Sequence, residues 1–145
     1  MVTIVRLFEG LPHGFDVMLA EAAAEGVRNM AMLAAEVGSE ADPFADSGGA
    51  LFAALVEGGL AGIGGVTAEA SLAEPAMRMR RLYVRPGYRR GGIARTLAGA
   101  MMQQGFQTAQ LLTLNAAASA AAAPFWEAMG FEAVDWPGIT HALRL

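Results

Sequence analysis

Seven of the ten basic residues fall between Arg78 and Arg95, at positions 78, 80, 81, 85, 89, 90 and 95, with no acidic residue among them. The whole chain carries a net charge of -4. A basic island on an acidic chain points to a local polyanion site rather than to general nucleic-acid binding. A solvated charged face is the alternative. Inside the island, Arg89-Arg90-Gly91-Gly92 leads into Ile93, Leu97, Ala100 and Met101, which recur at helical spacing. A helix N-terminus offers unpaired N–H groups and the positive end of the peptide dipoles. Together these make an anion site. Gly91 and Gly92 let the backbone approach the anion closely and take positive φ, and Arg89, Arg90 and Arg95 add charge. The expected ligand carries phosphates. All ten basic residues are arginine, so Schiff-base chemistry and the lysine of a Walker loop are excluded. There is no cysteine, which removes disulfides, thiolate metal sites and a thiol nucleophile. No metal site is expected.

The elements that must position this loop read as follows. Thr3 to Phe8 is a first strand. Phe15, Met18, Leu19, Ala22 and Ala23 predict a helix stopped by Gly26, and Met30, Leu33, Ala34 and Val37 a second one ending near Gly38. Asp42 to Gly49 is a loop. Leu51 to Glu57 and Leu60 to Glu69 flank Gly58-Gly59 as a hairpin, and Glu69 to Glu74 is a polar connection. In Met77 to Val84 the apolar phase changes, with Met77 and Met79 odd but Leu82 and Val84 even. A one-residue slip inside a strand is the mark of a β-bulge. The loop then opens a helix running to about Gln104. Gln110 to Leu114 is a short buried strand, Ala116 to Met129 is mostly helical around Pro124 with Gly130 as its stop, and residues 139–144 form a last strand. The order β-α-α-β-β-β-α-β-α-β describes one α+β domain over residues 1–145.

Arg89-Arg90-Gly91-Gly92-Ile93-Ala94 resembles the pyrophosphate motif of the GNAT acetyltransferase superfamily, Arg/Gln-x-x-Gly-x-Gly/Ala. Arg81-Leu82-Tyr83-Val84-Arg85-Pro86 resembles the strand and turn that lead into it. Asn115, followed by Phe125-Trp126-Glu127-Ala128-Met129-Gly130-Phe131, resembles the second motif of the family. The resemblance implies a central mixed, mostly antiparallel sheet flanked by helices, with a bulged fourth strand splayed from the fifth. It implies acetyl-CoA as cofactor, its pantetheine arm lying in that splay against the backbone of Leu82, Tyr83 and Val84. Arg89, Arg90, Gly91, Gly92, Ile93, Ala94 and Arg95 then hold the phosphates, with Asn115, Phe125 and Trp126 alongside. For Asn115 a helix-capping role is the alternative, and for Phe125 a place in the core. The implied reaction is direct attack of a primary amine, on a small molecule or a peptide, on the thioester.

Two positions depart from that pattern. Relatives carry a tyrosine acid where this chain has Trp126, whose indole N–H is no ordinary proton source. Relatives carry a glutamate base where this chain has Arg78, which suits a substrate carboxylate instead or sits at the edge of the basic island. Tyr83 is the candidate acid. The candidate bases are His141, a residue type suited to proton exchange, Glu69 and Glu74, with a water chain to solvent as the default. His13 lies in a turn and reads as structural. A non-catalytic acyl-CoA sensor is the alternative to an enzyme. No charged residue occurs from Thr96 to Trp126, but glutamines interrupt the segment and no apolar run reaches about 18 residues. The N-terminus lacks a secretory pattern. A cytoplasmic protein is therefore expected, without nucleic-acid or membrane partners. A homodimer would follow from the resemblance alone.

Overall fold

Gly58 holds φ 84° between two apolar runs. A tight turn there folds the runs back as a hairpin, β2 (Ala50–Val56) and β3 (Gly59–Ala68). The computed structural model describes residues 1–145. Its remaining elements are β1 (Val2–Leu7), α1 (Phe15–Ala24), α2 (Asn29–Glu36), β4 (Met77–Val84), a 3-10 turn at Pro86–Tyr88, α3 (Ile93–Thr108), β5 (Leu111–Leu114), α4 (Ala122–Ala128), β6 (Glu132–Trp136) and β7 (Ile139–Arg144). The strands form one sheet in the order β1-β2-β3-β4-β5-β7-β6. Every neighbouring pair is antiparallel except β4–β5. This is the mixed α+β sheet flanked by helices that the sequence implies. No helix is long and apolar enough to cross a membrane.

Side-chain alternation gives the sheet two apolar faces. On one, α3 buries Ile93, Leu97, Ala98 and Met101 against Met77, Met79, Val84, Leu112 and Leu114. On the other, α1 and α2 bury Phe15, Met18, Ala22, Met30 and Leu33 against Leu51, Ile63 and Tyr83. Close approach depends on glycine in β3. A Cβ at Gly64 would stand 2.6 Å from Met101 Sδ, and one at Gly65 would stand 2.5 Å from the Phe44 ring.

The phase slip in β4 is a bulge. Gly65 pairs with Arg80 and Ile63 with Tyr83, so β4 carries one residue more than β3 across that interval. The extra residue falls at Arg81–Leu82, where Arg81 adopts φ 60°. The slip returns Leu82 and Val84 to the α3 face that Met77 and Met79 already occupy. β4 and β5 are joined at only two positions, Met77 with Leu112 and Arg78 with Thr113. Beyond Arg78 the two strands part.

Three expectations are corrected. The order lacked a strand: Glu132–Trp136 forms β6, an edge strand whose side chains are mostly exposed. α3 runs past Gln104 to Thr108, because Gly105 makes room for Leu112, which a Cβ would meet at 2.6 Å. The helix expected from Ala116 begins only at Ala122. There Pro124 lies in the first turn, where its missing N–H goes unused; an earlier start would drive its ring into the Ala120 carbonyl.

Candidate active site

α3 opens with no acidic residue in its first turn and no side-chain cap. Its first N–H groups are therefore free for an external anion. The loop before it places Arg90 at φ 74° and Gly92 at φ 77°. Left-handed residues at such a turn aim successive N–H groups into one concavity, and a non-glycine residue held there stores strain of the kind found at functional sites. A cavity of about 320 Å³ opens at this point, lined by Val84, Tyr88, Arg89, Arg90, Gly92, Ile93, Ala94, Arg95 and Phe125. Six of the seven loop residues expected to hold phosphates thus line one cavity. Gly91 is exposed beside it.

The cavity reaches Val84, the last residue of β4, which lies beyond the strand's pairing with β5. Arg85 donates its N–H to Ala61 in β3. By alternation the peptide groups of Val84 and Leu82 then face the gap. Their carbonyls are partnered, Leu82 by Asn29 Nδ2 at 3.2 Å and Val84 by Arg89 Nε at 3.0 Å. Their N–H groups face the gap with no strand opposite. That edge can pair with an extended amide-bearing ligand as another strand would, and an N–H aimed at a carbonyl oxygen can stabilise developing negative charge.

Much of the basic island is neutralised from α1 and α2. Arg85 pairs with Glu21 at 2.6 Å, Arg89 with Glu25 at 2.7 Å, and Arg81 with Glu36 at 2.9 Å. These carboxylates escaped the sequence reasoning. The signal was present: Glu21 and Glu25 stand four apart on one helix face, a repulsive arrangement unless cations face it. Bonds from Arg89 and then Tyr83 pull the Glu25 carboxyl down to about 2, against the burial that would raise it. Arg90 and Arg95 lack carboxylate partners, and Arg95 reaches only Met129 Sδ at 3.8 Å. They supply the uncommitted charge at the α3 N-terminus.

The candidate proton-transfer groups are placed less favourably. Tyr83 contributes its backbone to β4, but its buried side chain lies on the α1/α2 face and its hydroxyl donates to Glu25. Burial, and then that bond, push the hydroxyl up to about 12. His141 is buried on the α3/α4 face, its Nε2 2.8 Å from Glu127 and its Nδ1 2.9 Å from Thr140 Oγ1. Thr140 Oγ1 also accepts from the Ala116 N–H, so both ring nitrogens of His141 are engaged by the protein. Trp126 is buried edge-on between Phe125 and Phe131, at centroid distances of 5.1 and 5.3 Å, and serves the core.

Glu69 and Arg78 meet on the opposite face, where β4 and β5 begin to part. The Glu69 carboxylate accepts from Arg78 at 3.1 Å, Thr113 at 2.9 Å and Ser71 at 2.7 Å. Burial would raise its pKa, but the bonds from Ser71, Thr113 and Arg78 outweigh it and hold the carboxyl below its usual range. Arg78 also donates to the Gly138 carbonyl at 3.2 Å, as does Asn115 Nδ2. Asn115 Oδ1 accepts from the Ala117 N–H, so it secures a turn well before α4 and does not cap that helix. Glu74 is paired with Arg144 at the surface. No three His, Asp or Glu side chains come together as metal ligands.

Residues 18–145 match the family model described as an acetyltransferase (GNAT) domain. No curated protein sequence matches the chain. Among solved structures, a protein of Exiguobacterium sp. 255-15 proposed to be an acetyltransferase is similar with a TM-score of 0.88 and 29% identity, over 99% of this chain and 93% of that one. A GNAT-family acetyltransferase from Elizabethkingia anophelis with acetyl-CoA bound gives 0.66 at 14% identity, over 99% and 98%. A ribosomal-protein-alanine N-acetyltransferase from Brucella melitensis biovar Abortus 2308 gives 0.63 at 20% identity, over 94% and 95%.

Proposed function

The chain belongs to the GNAT acetyltransferase family, and from that premise we propose that it transfers an acetyl group to a primary amine of a small molecule or peptide. It is an acyltransferase and its cofactor is acetyl-CoA. The observation that carries the proposal is the continuity of two unfilled features. The capless N-terminus of α3 shares a cavity with Val84, at the end of β4 that has lost its partner strand. One end suits a pyrophosphate and the other suits a chain of amides, so the residues fit this cofactor.

When bound, acetyl-CoA supplies an acetyl group activated as a thioester. Arg90, Arg95 and the first N–H groups of α3 hold the phosphates. The N–H groups of Leu82 and Val84 pair with the amide-bearing arm and polarise a carbonyl placed at the bulge. Attack by the amine is direct: there is no cysteine to carry the acyl group, and Tyr83 and His141 are committed to Glu25 and Glu127. A thiolate leaves without strict need of an acid. Glu69, bonded to Arg78 of β4 and Thr113 of β5 at the fork, orients water there, and the proton of the amine passes through that water to solvent. Among the similar proteins, the ribosomal-protein-alanine N-acetyltransferase is named for an amine acceptor.

The test is thiol release from acetyl-CoA by the purified full chain across a panel of small amines and peptides, with each product checked by mass for one added acetyl group. Tight acetyl-CoA binding with no acetylated product from any amine would refute the proposal.

A further inference from the structure

On the α1/α2 face of β4, three guanidinium groups stand near the fork: Arg78, Arg80 and Arg81. Two carboxylates meet them. Glu69 and the Gly138 carbonyl take Arg78. Glu36 gives one oxygen to Arg81 Nε and the other to Arg81 Nη2, both at 2.9 Å. Arg80 is left over. It approaches Glu36 only at 3.8 Å, beyond hydrogen-bond range, and it makes no hydrogen bond to the protein. Its side chain is only 27% exposed. A guanidinium carries five donors in a planar fork, and here none of them has a hydrogen-bonded partner in the protein, so the fork is open to a ligand. Burial, and then the charge of Arg81, lower its affinity for the proton, with Glu36 opposing them.

This surplus charge is not directed at the phosphates. Arg80 pairs across the sheet with Gly65, whose missing side chain faces Phe44 in the α1/α2 layer. The cavity at the α3 N-terminus does not include it. Arg80 lies two residues before Leu82, on the order of 7 Å along the strand. An anion held there would therefore sit a few bonds away from an atom reacting at the bulge. A planar carboxylate matches the guanidinium fork.

Resting on the amine-acetylation assignment, we propose that Arg80 binds a carboxylate carried by the acceptor, so that the preferred acceptors are amino-acid-like amines. Arg78, whose type at its position suggested this role, instead ties the fork to the β6–β7 turn. Arg80 performs it because it alone of the three donates no side-chain hydrogen bond to the protein.

The experiment compares matched acceptors with the full chain and acetyl-CoA: amino acids against their carboxamides, and γ-aminobutyrate against butylamine. The wild-type protein should favour the carboxylate members by at least tenfold in kcat/KM. Arg80→Gln should reduce that ratio towards one, chiefly through KM, and Arg80→Lys should retain an intermediate value. The change in ratio between variant and wild type cancels differences in amine basicity. Calorimetric CoA binding reports whether each variant is folded. A wild-type ratio near or below one overturns the proposal, as does an Arg80→Gln protein that binds CoA and keeps the ratio. If Arg80→Gln does not bind CoA, the wild-type ratio and Arg80→Lys decide. Acetylation of amines irrespective of the carboxylate defeats this inference alone, whereas acetylation of none defeats the amine assignment and this inference with it.

Discussion

Replacing Glu25 by glutamine should destabilise the protein at neutral pH and leave it almost unaffected near pH 2. Glu25 accepts two bonds of 2.7 Å from Arg89 and a third from the Tyr83 hydroxyl. Its carboxyl falls from 4.5 to about 2, which at face value corresponds to about 3.4 kcal/mol. The side chain keeps 30% of its surface in water, and screening reduces the figure to about 1–2 kcal/mol. Because the folded pKa is depressed, this contribution is complete above about pH 4.5 and disappears as pH falls through 2. Urea unfolding followed by tryptophan fluorescence at pH 7, 4 and 2.5, at fixed ionic strength, measures it. The deficit of Glu25→Gln should be about 1–2 kcal/mol at pH 7 and should shrink steadily with acidification. A deficit equal at all three pH values would show that packing, and not the ionised carboxylate, holds Arg89 and Tyr83.

Gly92→Glu should abolish CoA binding in calorimetry by placing a carboxylate among the α3 N–H groups. Gly92→Ala meets no atom within 4 Å, so it should cost only about 1 kcal/mol of stability, from its positive φ. Tyr83→Phe should lower kcat less than about tenfold while costing about 1 kcal/mol of stability; a loss of kcat beyond a hundredfold would make the Tyr83 hydroxyl the proton donor after all. Gly65→Ala drives a methyl into the Phe44 ring at 2.5 Å and the Ala50 carbonyl at 2.9 Å. Thermal or urea unfolding should show a loss of about 1–3 kcal/mol or more.

What was legible in the sequence was what depends on local pattern. The bulge showed because a slipped phase must move Leu82 and Val84 relative to Met77 and Met79. The turn into α3 showed because paired glycines directly before an apolar helical repeat mark where a helix starts. β6 did not show, because Glu132–Trp136 is an edge strand with too few buried side chains to impose a period of two. The fates of the arginines were hidden for another reason. Arg78, Arg80 and Arg81 are chemically alike in sequence, and only the third dimension assigns Glu69 to one and Glu36 to another. The same holds for Tyr83 and His141, whose partners Glu25 and Glu127 lie 58 and 14 residues away.

The two-residue ladder between β4 and β5 makes the protein mechanically two sheets on a common hinge. One holds β1 to β4 and the other holds β5, β7 and β6, stitched near the pivot by Glu69 to Thr113 and by Arg78 to Gly138. Local opening should begin at that seam, where few backbone bonds must break. A ligand lying along the gap fastens both halves at once, and at a hundredfold excess over its Kd it adds about 2.7 kcal/mol to their joint stability. Hydrogen exchange at residues 79–84 and 113–115 should therefore slow more on CoA binding than exchange in the outer strands. The acyl donor would then act as a structural member of the sheet as well as a reagent.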